Sequence, residues 1–371
     1  MPIEPTTEDS AAGIQPVRAV VRVVEYPVWR FRYGLQFNDE RDDFVDPIDG
    51  TAGRTQSIGI LTDLQNQNFL GRAVTAGISG RYERNRQAGS LFTSNSSFFG
   101  LPIRSSSFIF ASRQRFTTED AVTIEERVGL TGEQRWRPFR TSEVIWSFRA
   151  ERFRVFDPNL PPGEIEFLPF NVSRVNAAML LDRRDDPSGP TKGWFAAANW
   201  EQAVEALGSD YGNAKLLAQQ SLYRKIGGIV VAGRAQVGSA FGDQELLVSE
   251  RFQLGGATTV RGYGENTIGP RDIFGQPAGG DALLALNAEV RFPVRGWVQG
   301  VGFVDGGNVF RTRDEFSFRD IAVGYGFGLR LATPFAMLRA DFGIPARTVT
   351  PERPANQFKS GRVYFGIGHI F

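Results

Sequence analysis

From Trp29 onward, apolar and polar residues alternate with a period of two. The runs last about 9–14 residues and are separated by turn residues, the pattern of strands with two unlike faces. In the stretch 323–331, Val323, Tyr325, Phe327, Leu329 and Leu331 share one face, and Gly324, Gly326, Gly328 and Arg330 share the other. Likewise Val144, Trp146, Phe148 and Ala150 oppose Ser147, Arg149 and Glu151. Leu284, Leu286, Ala288, Val290 and Phe292 oppose Asn287, Glu289 and Arg291. The runs 213–226 and 298–309 alternate less cleanly. Together they predict sixteen strands: 30–38, 55–64, 73–85, 89–99, 105–116, 121–136, 139–153, 170–183, 194–203, 213–226, 229–240, 281–292, 298–309, 323–331, 336–343 and 362–371.

The connections fall into two alternating sets. Those at 100–104, 137–138, 227–228, 293–297 and 332–335 are short. Those at 39–54, 154–169, 241–280, 311–322 and 344–361 are long. Alternating short and long connections are expected of an outer-membrane barrel, with short periplasmic turns and long external loops. Strands of about 10 residues fit a bilayer span, and lipid admits only a closed sheet because no backbone group can stay unpaired there. A soluble sandwich or barrel shares the period-two signal. It would expose its charges, whereas here the non-apolar face mixes Gly with Arg, Glu and Asn. The expected fold is all-β: a 16-stranded antiparallel transmembrane β-barrel, with the long loop between strands 11 and 12 inserted in its lumen.

Composition sharpens this picture. Among 371 residues there are 42 Gly, 31 Phe, no Cys and one His. No apolar run is long enough for a transmembrane helix. The absence of Cys excludes a disulfide scaffold, a zinc ribbon and a cysteine nucleophile, and a single histidine argues against a catalytic triad or a histidine metal site. With 42 basic and 41 acidic residues the net charge is +1, without the basic excess of a nucleic-acid protein. Neither a metal nor a cofactor is expected, and no enzyme activity. The run 324–328 lacks the following helix of a dinucleotide fingerprint, and no Gly-x-Ser-x-Gly elbow is present. The first fifteen residues lack the basic and apolar regions of a signal peptide, so an exported protein would carry this chain as a mature piece or a fragment.

One constellation stands out. Phe252-Gln-Leu-Gly-Gly-Ala-Thr-Thr-Val-Arg-Gly-Tyr-Gly264 sits in the longest loop, where glycines permit a tight tip and Arg261 projects from it. Glu289, inward by alternation, and Asp305 follow on the next two strands. A guanidinium folded into the lumen could bond such carboxylates bidentately; read alone, these are ordinary loop and strand charges. The loop 255–263 resembles the signature loop of the BamA/TamA outer-membrane assembly superfamily, the bacterial surface antigen family. Asn287-Ala-Glu-Val-Arg-Phe-Pro293 and Gly302-Phe-Val-Asp-Gly-Gly-Asn308 resemble the two family strands that follow it. Asp182 to Gly193 resembles a long periplasmic turn of the family. Residues 16–37 resemble the last strand of a periplasmic POTRA domain running into the first barrel strand.

The resemblance implies a loop tip of Val260, Arg261, Gly262 and Tyr263, with Glu289 and Asp305 as the lumen anchors of the arginine. It implies a weak lateral seam between the first and last strands at Tyr33, Gly34, Leu35, Gly366 and Gly368. It also implies a C-terminal assembly signal of Tyr364, Gly366 and Phe371, with Phe371 on one face with Val363, Phe365 and Ile367, and His369 in an outward interfacial position. Residues 1–28 are then a disordered start plus the remnant of the last POTRA strand, and residues 29–371 are the barrel. The implied place is the bacterial outer membrane. The implied partners are its lipids, unfolded outer-membrane or autotransporter clients and a periplasmic accessory protein, with no nucleic acid. The implied function is insertion or export of clients through the seam. A passive channel or dedicated secretion pore fits the same alternation.

Overall fold

The computed structural model describes residues 3–5, 17–19, 27–45, 52–117, 122–156, 158, 166–242, 246, 250–272, 275, 277–333, 337–347, 361–369 and 371. Two short segments, β1 (Ile3–Pro5) and β2 (Val17–Ala19), pair antiparallel. β2 lies within the 16–37 segment, and its partner is β1. The rest of the expected disordered start and domain remnant, residues 1–2, 6–16 and 20–26, lies outside the described residues.

Sixteen further strands form one antiparallel sheet in which each pairs with its chain neighbours. They are β3 (Trp29–Val45), β4 (Ala52–Phe69), β5 (Val74–Glu83), β6 (Arg86–Asn95), β7 (Ile103–Thr117), β8 (Val122–Phe139), β9 (Ser142–Phe156) and β10 (Glu166–Asp182). The second half comprises β11 (Gly193–Ala203), β12 (Asn213–Ile226), β13 (Ile229–Phe241), β14 (Ala282–Arg295), β15 (Val298–Phe310), β16 (Ala322–Ala332), β17 (Met337–Arg347) and β18 (Arg362–Ile367). The sheet is rolled. The ring of Phe371, just past β18, lies 6.3 Å from that of Tyr223 on β12, six strands away in the sheet order. Among the described residues no ladder joins β3 to β18.

The sixteen expected strands correspond one to one with β3–β18, but several run longer. β4 and β8 each have 18 residues, well beyond the about 9–11 that cross a bilayer. The added residues of β8, 137–139, and those at both ends of β4 continue the hairpin ladders into stretches expected as connections. The last strand is the opposite case. The expected 362–371 ends at Ile367, because Gly368 adopts φ +82°, a left-handed conformation that ends the extended run.

The outward face is apolar and exposed. Tyr33, Leu35, Ile109, Val128, Leu130, Val304, Phe327 and Phe365 are all at least 47% exposed. Such a coat has no place in water and is the lipid surface of a barrel. The inward face carries the polar groups: Glu289, Asp305, Arg330 and Asp341 are each at most 1% exposed. Among the described residues no helix is long and apolar enough to cross a membrane.

Val304 sits mid-strand on β15, opposite Ala288 and Tyr325, and is 54% exposed. Val304→Arg places a charge in hydrocarbon and is expected to cost about 2–4 kcal/mol of folding free energy. Val304→Leu should change little. Denaturant titration in lipid vesicles, followed by tryptophan fluorescence, measures both.

Candidate functional site

The connection between β13 and β14 folds back into the lumen instead of standing above it. Isolated bridges Phe252↔Gly280 and Leu254↔Ile268 shape it into a narrow hairpin. Phe252, Leu254, Val260, Tyr263 and Ile268 pack with Leu283, Ala285, Val309 and Ala322 of the adjoining wall in one buried cluster. Gly262 turns the tip at φ +102°. A Cβ there would lie 2.8 Å from the Ile344 carbonyl carbon, so both the backbone angle and the space demand glycine.

The tip presents Arg261, which is fully buried. Its Nε donates to Asp305 Oδ2 at 2.6 Å and its Nη2 to Asp305 Oδ1 at 2.9 Å, while Nη1 donates to Glu289 Oε1 at 2.8 Å. The Arg261 backbone N–H adds a fourth bond, to Asp305 at 3.1 Å. The guanidinium lies 3.4 Å over the Phe303 ring, within the range of cation–π attraction. The structure therefore brings together Arg261, Glu289 and Asp305, the triplet implied by the family resemblance.

It also supplies members that sequence reasoning did not single out. Asp341 on β17 lies 3.6 Å from Arg261 and accepts from Arg330 at 2.6 and 3.2 Å. Arg291 donates to Glu289 at 3.0 Å. Asn287 donates to Asp305 at 2.7 Å and to the Thr259 carbonyl at 2.6 Å, and accepts from Arg234. Arg330 was on the inner face by alternation. Nothing in the run 336–343 marked Asp341 as its partner. A buried charge needs an opposite charge and satisfied hydrogen bonds, and that requirement was the available signal.

The inner glycines of β16 and β17 make room for the tip. A Cβ on Gly324 would meet the Arg261 carbonyl at 1.9 Å, one on Gly343 the Gly262 nitrogen at 2.5 Å, and one on Gly328 the Asp341 carboxylate at 2.0 Å. Tyr263 donates its hydroxyl to the Val323 carbonyl at 3.0 Å. Val260 is fully buried behind it.

A second, polar tether lies nearer the loop base. Arg174 on β10 bonds Tyr211 and Glu250, and Lys215 donates to the Glu250 carbonyl at 2.6 Å. On the opposite, periplasmic side, the 183–192 turn is internally braced. Asp182 takes two bonds from Arg184 at 2.9 and 2.8 Å. The Thr191 hydroxyl, with the backbone N–H groups of Lys192 and Thr191, bonds Asp185 and holds its carboxyl well below the usual range.

The C-terminal residues differ from expectation. Val363, Phe365 and Ile367 face outward, at least 58% exposed. Phe371, expected on the same face, turns inward after Gly368. Arg234 and Arg291 of the inner wall lie 5.4 and 5.7 Å from its ring centre. His369, expected outward, is half-buried within electrostatic reach of Arg291 and Glu289. Had the strand continued past Ile367, alternation would have kept Phe371 outside; the positive φ of Gly368 breaks that parity. Tyr364 points inward, accepts from the Gly262 backbone N–H at 2.9 Å and donates to the Tyr263 carbonyl at 2.6 Å. At the other sheet end, Tyr33 and Leu35 are more than 80% exposed and flank Gly34.

These features define the class: a sixteen-stranded outer-membrane β-barrel whose long loop is pinned in the lumen by a buried arginine. The Omp85 superfamily domain is matched over residues 68–371, and the chain belongs to that superfamily. It is similar to the "Outer membrane protein assembly factor BamA" of Nitratidesulfovibrio vulgaris, 29% identical over 241 residues, covering 62% of this chain and 30% of the relative. It is also similar to the human "Sorting and assembly machinery component 50 homolog", 26% identical over 230 residues, covering 54% and 45%. The chain thus spans less than half the length of either relative. In fold it matches BamA from Haemophilus ducreyi lacking POTRA domains 1–3, with TM-score 0.69 and 15% identity, covering 99% of this chain and 74% of that one.

Arg261→Ala would strand Asp305 and Glu289 in a dry site, a change expected to cost about 3–5 kcal/mol. The folded band on unheated gels should weaken and the loop should become protease-sensitive. Arg261→Lys should recover only part of the loss, since an ammonium cannot reproduce the bidentate fork. Gly324→Ala should expose the loop to protease as well, although it touches no charge, because its methyl group occupies the space of the Arg261 carbonyl.

Proposed function

We propose that this chain inserts or exports β-barrel or autotransporter-type clients across the outer membrane, through a lateral seam between β3 and β18. The observation that carries this reading is the pair of sheet ends. β18 is only six residues long and ladders only to β17 among the described residues. An unpaired strand edge is a template for another strand, and Gly34, Gly366 and Gly368 would weaken the seam, because glycine lowers strand stability. The relatives named for assembly support the reading. Residues 29–371 act as one barrel unit, with residues 1–28 as a start and remnant of a preceding POTRA domain. The partners would be unfolded clients and a periplasmic accessory protein. Strand templating needs no covalent step, so no catalytic residue is assigned. The C-terminal residues Tyr364, Gly366 and Phe371 would serve as the chain's own assembly signal.

A passive channel or secretion pore is the second reading. It is favoured by the inner wall of β3–β7, away from the packed loop, where Ser79, Ser90 and Ser112 stand with Arg32, Asp63 and Arg81 on one polar face.

The chain has no native cysteine, so seam disulfides can be introduced cleanly. Cysteine at Tyr33 or Leu35, combined with cysteine at Val363 or Phe365, should block client insertion into vesicles when oxidised and restore it on reduction. Undiminished insertion by a fully cross-linked chain would overturn the seam. A large, stable conductance that the cross-link leaves unchanged would favour the pore.

A further inference from the structure

The outward face of β7–β9 changes character abruptly near its extracellular end. Below lie Ile109, Leu130 and Val128, between 47% and 59% exposed. The change begins opposite Val128, which pairs with Arg152; beyond it Arg113 pairs with Glu126, Glu126 with Arg154, and Arg115 with Ile124. Paired residues share a face of the sheet, so all four arginines point outward with the apolar coat. The alternate positions confirm the parity, since Glu151 and Phe153 are buried on the inner side. Among the described residues of this patch, four guanidiniums stand with one carboxylate, Glu126, which lies 3.7 Å from Arg113 and 4.0 Å from Arg154.

Their height is informative. Phe139 marks the periplasmic rim and pairs with Ser142. From Ser142 to Arg152 is about ten residues, which at about 3.3 Å each and a tilt of about 40° climbs about 25 Å. That is the thickness of the apolar band of an outer-membrane barrel. The arginines therefore stand at the outer interface, directly above the hydrocarbon, spread over three strands spaced about 4.8 Å apart.

We propose that Arg113, Arg115, Arg152 and Arg154 form a docking site for the phosphate-bearing headgroup of an outer-leaflet lipid. Planar guanidiniums match phosphate oxygens bidentately. The occupant must also cover Ile109, Val128 and Leu130 immediately below, which an amphiphile with acyl chains does and a soluble anion does not. A lipid held here would lie against the first half of the barrel, on the face away from the loop-packed wall.

Native mass spectrometry of the full chain in neutral detergent micelles, titrated with bisphosphorylated lipid A, tests the site. Wild type should retain the lipid, and R113Q/R115Q/R152Q/R154Q should bind it about tenfold more weakly, as expected for lost charge-assisted bonds. Replacing all four by lysine should restore part of the affinity. Heat-modifiability verifies folding; should the quadruple variant not fold, R115Q/R152Q should show an intermediate loss. Equal binding by folded glutamine variants overturns the proposal. So does equal wild-type retention of dephosphorylated lipid A, which would assign the affinity to the acyl chains. Inorganic phosphate that binds as well as the lipid also overturns it, because the site would then be a simple anion site.

Discussion

The buried guanidinium of Arg261 is the constraint on which the rest of the lumen depends. A charge removed from water is tolerated only with opposite charge and donors in good geometry. Arg261, Arg330 and Arg291 form a directly ion-paired set with Glu289, Asp305 and Asp341. Three cations meet three anions, so the set is neutral as a whole although each member is buried. That balance fixes which strands must lie side by side: β14, β15, β16 and β17 each contribute at least one member. It also explains why the glycines of β16 and β17 face inward, since a side chain at Gly324, Gly328 or Gly343 would occupy the space of the arginine backbone or its carboxylates.

The loop is held in two different ways along its length. Its tip is fixed by charge, and its flanks by apolar packing of Phe252, Leu254, Val260 and Ile268 against the β14–β16 wall. Its base is fixed again by Glu250, which bonds Arg174 and whose carbonyl accepts from Lys215. Packing alone is non-directional and would let the hairpin slide. The bidentate pair sets its depth, because the planar fork bonds Asp305 and Glu289 together from only one position. The consequence is an asymmetric lumen, filled by the loop against β13–β17, while along β3–β7 the inner face mixes Gly34, Ser79, Ser90 and Ser112 with Arg32, Asp63, Arg81 and Phe110.

Much of the fold was legible in the chain because lipid enforces strict alternation. Where one face meets hydrocarbon and the other a wet lumen, residues such as Val323 to Leu331 declare their side, and all sixteen strands could be located. The ends could not, because the ladders of β4 and β8 run on into residues that read as turns in the chain. The site was legible only in part. Arg261, Glu289 and Asp305 converge through the path of a forty-residue loop, which periodicity cannot describe, and it was the family resemblance that placed them together. Asp341 was missed because its role appears only once the arginines are in place. Phe371 was misplaced because alternation assumes an unbroken strand, and a single left-handed glycine reverses the parity beyond it.

The loop and the last strand are mechanically joined. Tyr364, an inward side chain of β18, bonds the loop tip, donating to the Tyr263 carbonyl and accepting from the Gly262 N–H. The same strand ladders to β17 over only six pairs, from Leu338↔Ile367 to Gly343↔Arg362, and its outward residues rest in lipid. Moving β18 away from β17 must therefore break the Tyr364 bonds or draw the tip with it. Drawing the tip would pull Arg261 from a neutral buried set whose members cannot be left unpaired. Breaking two hydrogen bonds to one hydroxyl is far cheaper than separating that ion cluster, at about 0.5–1.5 kcal/mol each against several for a buried charge. In the proposed opening of the β3–β18 seam, β18 would therefore be the element that yields, at the cost of its Tyr364 bonds, while the arginine-held loop stays in place.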